Sequence, residues 1–352
     1  MLDWHKSWRR TWPLLCCLLA LQVHAAEPDA KQWLERMTRA LAEQNYEGFF
    51  FHVRDSRSER MRIIHRVDRG KVSERLVSLD GSGREIIRNA TEVICYLPDR
   101  RTVLVEKRSE RSDSSSLLGG LPSYSESLET LYDIEKVGGV VKTLGRKTQI
   151  VSIQPRDQYR YGYRLWLDQE TALPLKSQLC DRQGRVIEQI LFSEVNLRDR
   201  ISAEDLRPAV SGEGYRWLRQ TTQPIVVAGM TVGWSVIRLP AGFKLTERRV
   251  QAIAGSNAPV RHLVFSDGLA TVSVFIEPRD TQSEPMHGLT RVGAAFAYSR
   301  YLDGNQVTAL GEVPAATVEA IAAGVTRDDA AEPSTATPAP GESPAPAPPG
   351  RP

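Results

Sequence analysis

Chemistry-bearing residues are scarce in this chain of 352 residues, which holds only four cysteines and six histidines. Cys16 and Cys17 fall inside an apolar run near the N-terminus, and beyond it His52, His65, His262 and His287 stand singly. No spacing of these residues fits a metal site, and no cofactor fingerprint accompanies them. GxSxG, HExxH, CxxC and the P-loop are missing, as is GxGxxG in a strand–turn–helix setting. An enzymatic reading, such as an envelope hydrolase, therefore has no residue to nominate. Carboxylates are numerous, but they alternate with Arg and Lys in the manner of a solvated face. The formal net charge is only +3, so no basic excess argues for nucleic acid. After the N-terminal segment no window approaches the roughly 20 apolar residues of a membrane-spanning helix.

The two ends stand apart from the rest. Lys6, Arg9 and Arg10 precede the apolar run Leu14 to Leu21, and Val23-His24-Ala25 follows. This pattern is that of a secretory signal, residues 1–25, cleaved after Ala25. Its loss removes Asp3 and three basic residues, +2 of the formal +3, and leaves a nearly neutral chain. Residues 326–352 are rich in Ala, Pro, Glu, Ser and Thr and cannot bury enough apolar area to offset the entropy of ordering; disorder is expected there.

Between the ends the signals are those of strands. Asp29 with Gln32 three residues on starts a helix over about 30–44, with Trp33, Met37, Ala40 and Leu41 at helical spacing. Two readings of it stay open, a lid over a cavity and an ordinary core helix. From Asn45 to Lys107 short apolar runs are separated by Asp68-Arg69-Gly70, Asp80-Gly81-Ser82-Gly83 and Pro98-Asp99-Arg100, which predicts an antiparallel meander. Residues 108–123, rich in Ser and Gly, predict a long loop, and Ser125 to Tyr132 a short helix. A second group of strands starts near Val140 and ends with Val186 to Val195, closing an N-terminal domain over 26–206. Residues 207–232 form a linker carrying the basic-aromatic patch Tyr215-Arg216-Trp217-Leu218-Arg219. Hairpins around Asp267-Gly268 and Asp303-Gly304, with a helix from Pro314 to Gly324, define a small antiparallel α+β domain over 233–325.

Several strands of the meander carry apolar side chains on both faces: Phe49, Phe51 and Val53 alternate with Phe50, His52 and Arg54. Such a sheet must be covered on its second face or curl around something apolar. On the curled reading, Phe49, Phe51, Ile63, Val93, Cys95, Val103 and Trp166 line an interior that takes an acyl chain. Arginines throughout the meander, Arg54 to Arg108, suit an anionic head group or simply a polar face. Cys95 and Cys180 are a candidate disulfide in an oxidising compartment, or two buried thiols.

The words NYEGFFFHVRDSR (45–57), EVICYLPDRR (92–101) and PRDQYRYGYRLWLDQETALPLKSQL (155–179) resemble the MucB/RseB family, and HLVFSDGLATVSVFIEP (262–278) and GEVP (311–314) resemble its C-terminal domain. The resemblance covers about 27–325. It implies a periplasmic regulator of the sigma-E type envelope-stress response. Such a protein binds the periplasmic domain of a membrane anti-sigma factor of the RseA/MucA kind and shields it from site-1 proteolysis. It implies a mainly β, α+β fold: a large N-terminal unclosed β-barrel with a helical lid, like the LolA/LolB lipoprotein carriers, plus the small C-terminal domain. Lipid or lipopolysaccharide entering the N-terminal domain would release the anti-sigma factor. It carries over no catalytic residue; Tyr163 and Trp166 read as strand core, and Gly162 as a bulge or close approach. A lipid or lipoprotein carrier without a regulatory role is the competing reading, although residues 233–325 are surplus to it. A second copy of the chain is the remaining partner class that the sequence admits.

Overall fold

The computed structural model describes residues 27–81, 83–108, 121–220, 233–251, 258–279 and 287–328. The signal segment, most of the expected 108–123 loop, the second half of the expected linker and nearly all of the Pro-rich tail lie outside the described residues. No described helix is long and apolar enough to cross a membrane.

Helix α1 (Ala30–Glu43) starts where the capping pattern places it. The Gln32 amide donates to Asp29 Oδ1 at 2.8 Å, and the Asp29 amide donates to Gln32 Oε1 at 3.0 Å. Its buried stripe is Trp33, Leu34, Met37 and Ala40. Twelve strands follow: β1 (Tyr46–Arg54), β2 (Arg57–Asp68), β3 (Lys71–Ser78), β4 (Glu85–Arg88), β5 (Glu92–Leu97), β6 (Thr102–Lys107), β7 (Tyr132–Thr143), β8 (Arg146–Pro155), β9 (Gly162–Asp168), β10 (Pro174–Cys180), β11 (Val186–Leu197) and β12 (Arg216–Gln220). They form one sheet in the order β12-β6-β5-β4-β3-β2-β1-β11-β10-β9-β8-β7. Strands β12 and β7 are its two ends, so the sheet curls around α1 without closing.

The second, smaller module comprises β13 (Trp234–Val236), β14 (Lys244–Gln251), β15 (Val260–Ser266), β16 (Thr271–Pro278), β17 (Gly288–Val292), β18 (Ala295–Leu302), β19 (Asn305–Gly311), α2 (Ala315–Gly324) and β20 (Val325–Arg327). Six of these strands form a sheet in the order β14-β15-β16-β19-β18-β17, and β13 pairs separately with β20. Val318, Ile321 and Ala322 of α2 share a core with Leu263, Val274 and Ala309 of the sheet.

Three local differences from the sequence reading have plain causes. Strand β7 begins at Tyr132, well before Val140, because Gly138 and Gly139 are absorbed in a bulge between Val137 and Val141 and do not make a turn. A 3₁₀ turn, Glu126–Thr130, replaces the short helix. The expected linker supplies β12, which pairs in parallel with β6 over Arg216–Gln220.

Candidate functional site

Residues paired directly across neighbouring strands share a face of the sheet. Gly48, Ile63, Leu76, Ile86, Cys95 and Leu104 form one such row from β1 to β6. Ile63 and Leu76 are buried in one cluster with Trp33, Leu34 and Met37, so this row lies on the concave face beneath α1. The neighbouring row, Phe49, Arg62, Val77, Glu85, Tyr96, Val103 and Trp217, therefore lies on the convex face.

The seven residues expected to line an interior thus divide between two surfaces. Ile63, Val93 and Cys95 fall on the concave face. Phe49, Phe51, Val103 and Trp166 fall on the convex one. The Arg62 guanidinium stands 5.9 Å from the centre of the Phe49 ring. Phe51 is 38% exposed. Trp166 carries the Lys176 ammonium 4.2 Å from its ring centre, while its neighbours Leu165 and Leu167 point into the core. Alternation fixes which residues share a side; only the element that packs there decides which side is inner. Phe50, not Phe49 or Phe51, is the inward aromatic of β1. Part of the convex apolar surface has its own cover, since Tyr96, Val103 and Val105 pack under Val210 and Tyr215 of the connecting segment. Cys95 and Cys180 are free thiols. Five strands separate β5 from β10 in the sheet order, whereas a disulfide needs Cα atoms within about 7 Å.

Where α1 stops covering the concave face, a cavity of about 230 Å³ opens. Its apolar wall is Phe50, Met61, Leu76, Leu121, Leu179 and Ile190. Its mouth carries His52, Arg54, Arg84, Glu188 and, from the C-terminal module, Glu312. Some of the meander's arginines are turned to carboxylates, as in Arg62–Glu47 at 2.7 Å, Arg84–Glu59 at 3.2 Å and Arg88–Glu74 at 2.9 Å, the last beside the buried pair His65–Glu74. Two guanidinium groups, those of Arg54 and Arg84, reach the cavity.

The mouth is a linked charge cluster. Glu188 receives His52 Nε2 at 2.6 Å and Arg54 Nε at 2.9 Å. Arg54 also faces Glu312 at 3.9 Å. Burial works to raise the Glu188 carboxyl, but the hydrogen bonds from His52 and Arg54 win and hold it below its ordinary value. Glu312 moves the other way: its side chain is 60% exposed, yet crowding by protein in the cleft, and then Glu188, push it up against the pull of Arg54.

Beside the cavity the two modules are pinned together by a dry polar knot. Asp267, in the β15–β16 turn, is ion-paired with Arg160, Nε to Oδ2 at 3.0 Å, and its Oδ2 accepts the Tyr132 hydroxyl at 3.0 Å. Its Oδ1 accepts the amides of Leu269 and Ala270. Arg160 further donates to the Ala241 carbonyl at 2.6 Å. Burial, with Asp267 adding to it, raises the Tyr132 phenol far above its ordinary value, so it stays protonated and donates to Asp267. Thr317 Oγ1 donates to the Tyr159 carbonyl at 2.6 Å, and Arg291 pairs with Asp55 at 2.9 Å.

Sequence reasoning does not reach these groups. Asp267 reads as a turn residue and His52 and Glu188 as a strand's polar positions, because their partners are more than 100 residues away. Gly162 is the exception. It reads as a bulge or a close approach, and a Cβ there would meet the Ile153 carbonyl oxygen at 2.5 Å.

Residues 29–210 match the MucB/RseB N-terminal domain and residues 229–326 the MucB/RseB C-terminal domain. The chain is 32% identical over 332 residues to the sigma factor AlgU regulatory protein MucB of Pseudomonas aeruginosa, covering 91% of this chain and 97% of that protein. It is 26% identical over 310 residues to the sigma-E factor regulatory protein RseB of Escherichia coli, covering 85% and 91%. Among solved structures, MucB in complex with MucA(peri) superposes with a TM-score of 0.65 at 29% identity, covering 86% of this chain and 100% of that chain. The Pseudomonas aeruginosa MucA/MucB complex gives 0.64 at 30% identity, covering 86% and 99%. With an unclosed sheet wrapped on one helix, a small second sheet module and both halves matched in order, the chain belongs to the MucB/RseB family.

Proposed function

We propose that this chain is a periplasmic regulator, exported by a signal cleaved after Ala25. It binds the periplasmic domain of a membrane anti-sigma factor, keeps the site-1 protease from it and so holds the sigma factor inactive. The observation that carries this is the likeness along 86% of the chain to MucB as found in complex with MucA(peri). The cavity mouth is an ion-paired cluster of His52, Arg54, Glu188 and Glu312.

An anionic amphiphile is the releasing ligand. The cavity's apolar wall takes part of an acyl chain, at about 0.8 kcal/mol per buried methylene, while Arg54 and Arg84 stand at its mouth. At about 230 Å³ it lies below the 300–1,000 Å³ of ordinary small-molecule sites, so a longer chain enters only as α1 shifts. Release requires that the amphiphile bind the partner-free protein more tightly than the complex.

The test is protection of an anti-sigma periplasmic domain from site-1 protease by the purified chain, with and without lipid A. Protection that lipid A removes is expected. Absence of binding at micromolar concentrations rejects the regulator and leaves the carrier. Ile190→Glu, a half-buried wall position, should keep protection but lose the response to lipid A.

A further inference from the structure

The β7–β8 hairpin breaks local folding rules in three ways at once. Its two-residue turn places Leu144 at φ +55° and Gly145 at φ +73°. Such a turn favours Asn or Asp before Gly; a leucine there is strained, and 40% of it is exposed. One pair behind the turn-closing Thr143 and Arg146, Lys142 is paired across the strands with Lys147. Like charges in that position repel, and neither lysine has a carboxylate partner among the described residues. Behind the lysines, Val137, Val140 and Val141 are 39%, 50% and 36% exposed, on an end strand of the sheet.

The hairpin's own charge has one sign. No acidic residue occurs from Lys136 to Thr148. At the base, Lys136 is paired with Glu27 and Arg146 with Asp168 and Glu170. Edge lysines alone would be ordinary protection against strand addition, but protection does not explain a strained leucine or three bare valines. Violations of several local rules in one place mark a functional element.

We propose that this tip is a membrane-interface anchor: Leu144, Val140 and Val141 enter the head-group boundary of an anionic bilayer while Lys142 and Lys147 meet its phosphates. Apolar side chains flanked by unpaired cations are what such a boundary selects. The anchor is separate from the cavity and does not depend on the reading of its ligand.

Flotation of the chain, purified from the periplasm of an expression host, with vesicles of phosphatidylglycerol and phosphatidylcholine tests it. Binding that disappears on phosphatidylcholine alone is expected. Val140→Asp with Leu144→Asp should weaken partitioning at least about tenfold, and each of Lys142→Glu and Lys147→Glu about fivefold. Leu144→Asn separates anchoring from folding, because Asn suits the left-handed conformation: the melting temperature should rise while vesicle binding falls. Ile190→Glu, which alters the cavity, should float like the unmodified chain. The proposal is overturned if the unmodified chain does not float or if the tip variants float equally well. It is also overturned if Ile190→Glu abolishes flotation, or if the tip variants lose self-association or anti-sigma binding with flotation intact.

Discussion

His262 shows how a single buried side chain ties stability to acidity. It stacks on Phe275 with ring centres 4.4 Å apart, and its Nδ1 accepts Arg249 Nε at 3.0 Å, which requires the neutral ring. Burial first, and the Arg249 charge second, lower its pKa to about 4 from an ordinary 6.5. Because the folded-state value is the depressed one, the contribution is complete above pH 6.5 and is lost as pH falls towards 4, where the unfolded chain takes up a proton that the folded one refuses. The shift corresponds to about 3 kcal/mol. Denaturation of the chain between pH 7 and pH 4 should show a loss of that order, and His262→Gln should flatten the slope. At this scale little was legible in advance: a lone His in a strand carries no mark of what stacks on it.

At the scale of elements, legibility followed sequence distance. Helix α1 and the hairpins at Asp267-Gly268 and Asp303-Gly304 declare themselves through caps and turns within a few residues. Pairing over long range does not: β12 joins β6 in parallel across more than 100 residues, with no turn to announce it. Facing is the intermediate case. Alternation correctly groups Phe49 with Phe51 and separates both from Phe50, but it cannot say that α1 lies on the Phe50 side. Alternation therefore puts Phe49 and Phe51 of β1, Val103 of β6 and Trp166 of β9 on the inner side, where the structure has them outside, and none of the seven expected residues lines the cavity. Gly162 gives an element-scale test, since it lets β9 lie against β8. A Cβ there would stand 2.5 Å from the Ile153 carbonyl oxygen and 2.9 Å from Pro155 Cδ, atoms that the sheet holds in place. Gly162→Ala should cost about 1–3 kcal/mol in chemical denaturation.

For the whole molecule, the junction of the two modules decides whether they act as one. It rests on the buried Arg160–Asp267 pair, to which Tyr132 adds its hydroxyl, and on Leu131, which packs so closely on Gly242 that a Cβ there would come within 2.5 Å of it. Removing one partner strands the other charge away from water, at about 3–5 kcal/mol. Asp267→Asn should therefore split a single calorimetric transition into two, with each module melting separately; a single transition displaced to lower temperature would mean that the modules are joined by other contacts. Arg54 is the smaller tie, reaching Glu188 on its own sheet and Glu312 on the other module. A head group that captured Arg54 at the cavity mouth would slacken the junction between the two modules.

Because β12 and β7 end the large sheet without meeting, its curvature is not fixed by a full circuit of hydrogen bonds. The sheet behaves as a split collar, able to spread for a bulkier guest without breaking a rung. One lip of the split, β12, is the last strand of the sheet before the second module. Spreading the collar would displace that lip, so the girth of a guest would be felt at the sheet's last strand.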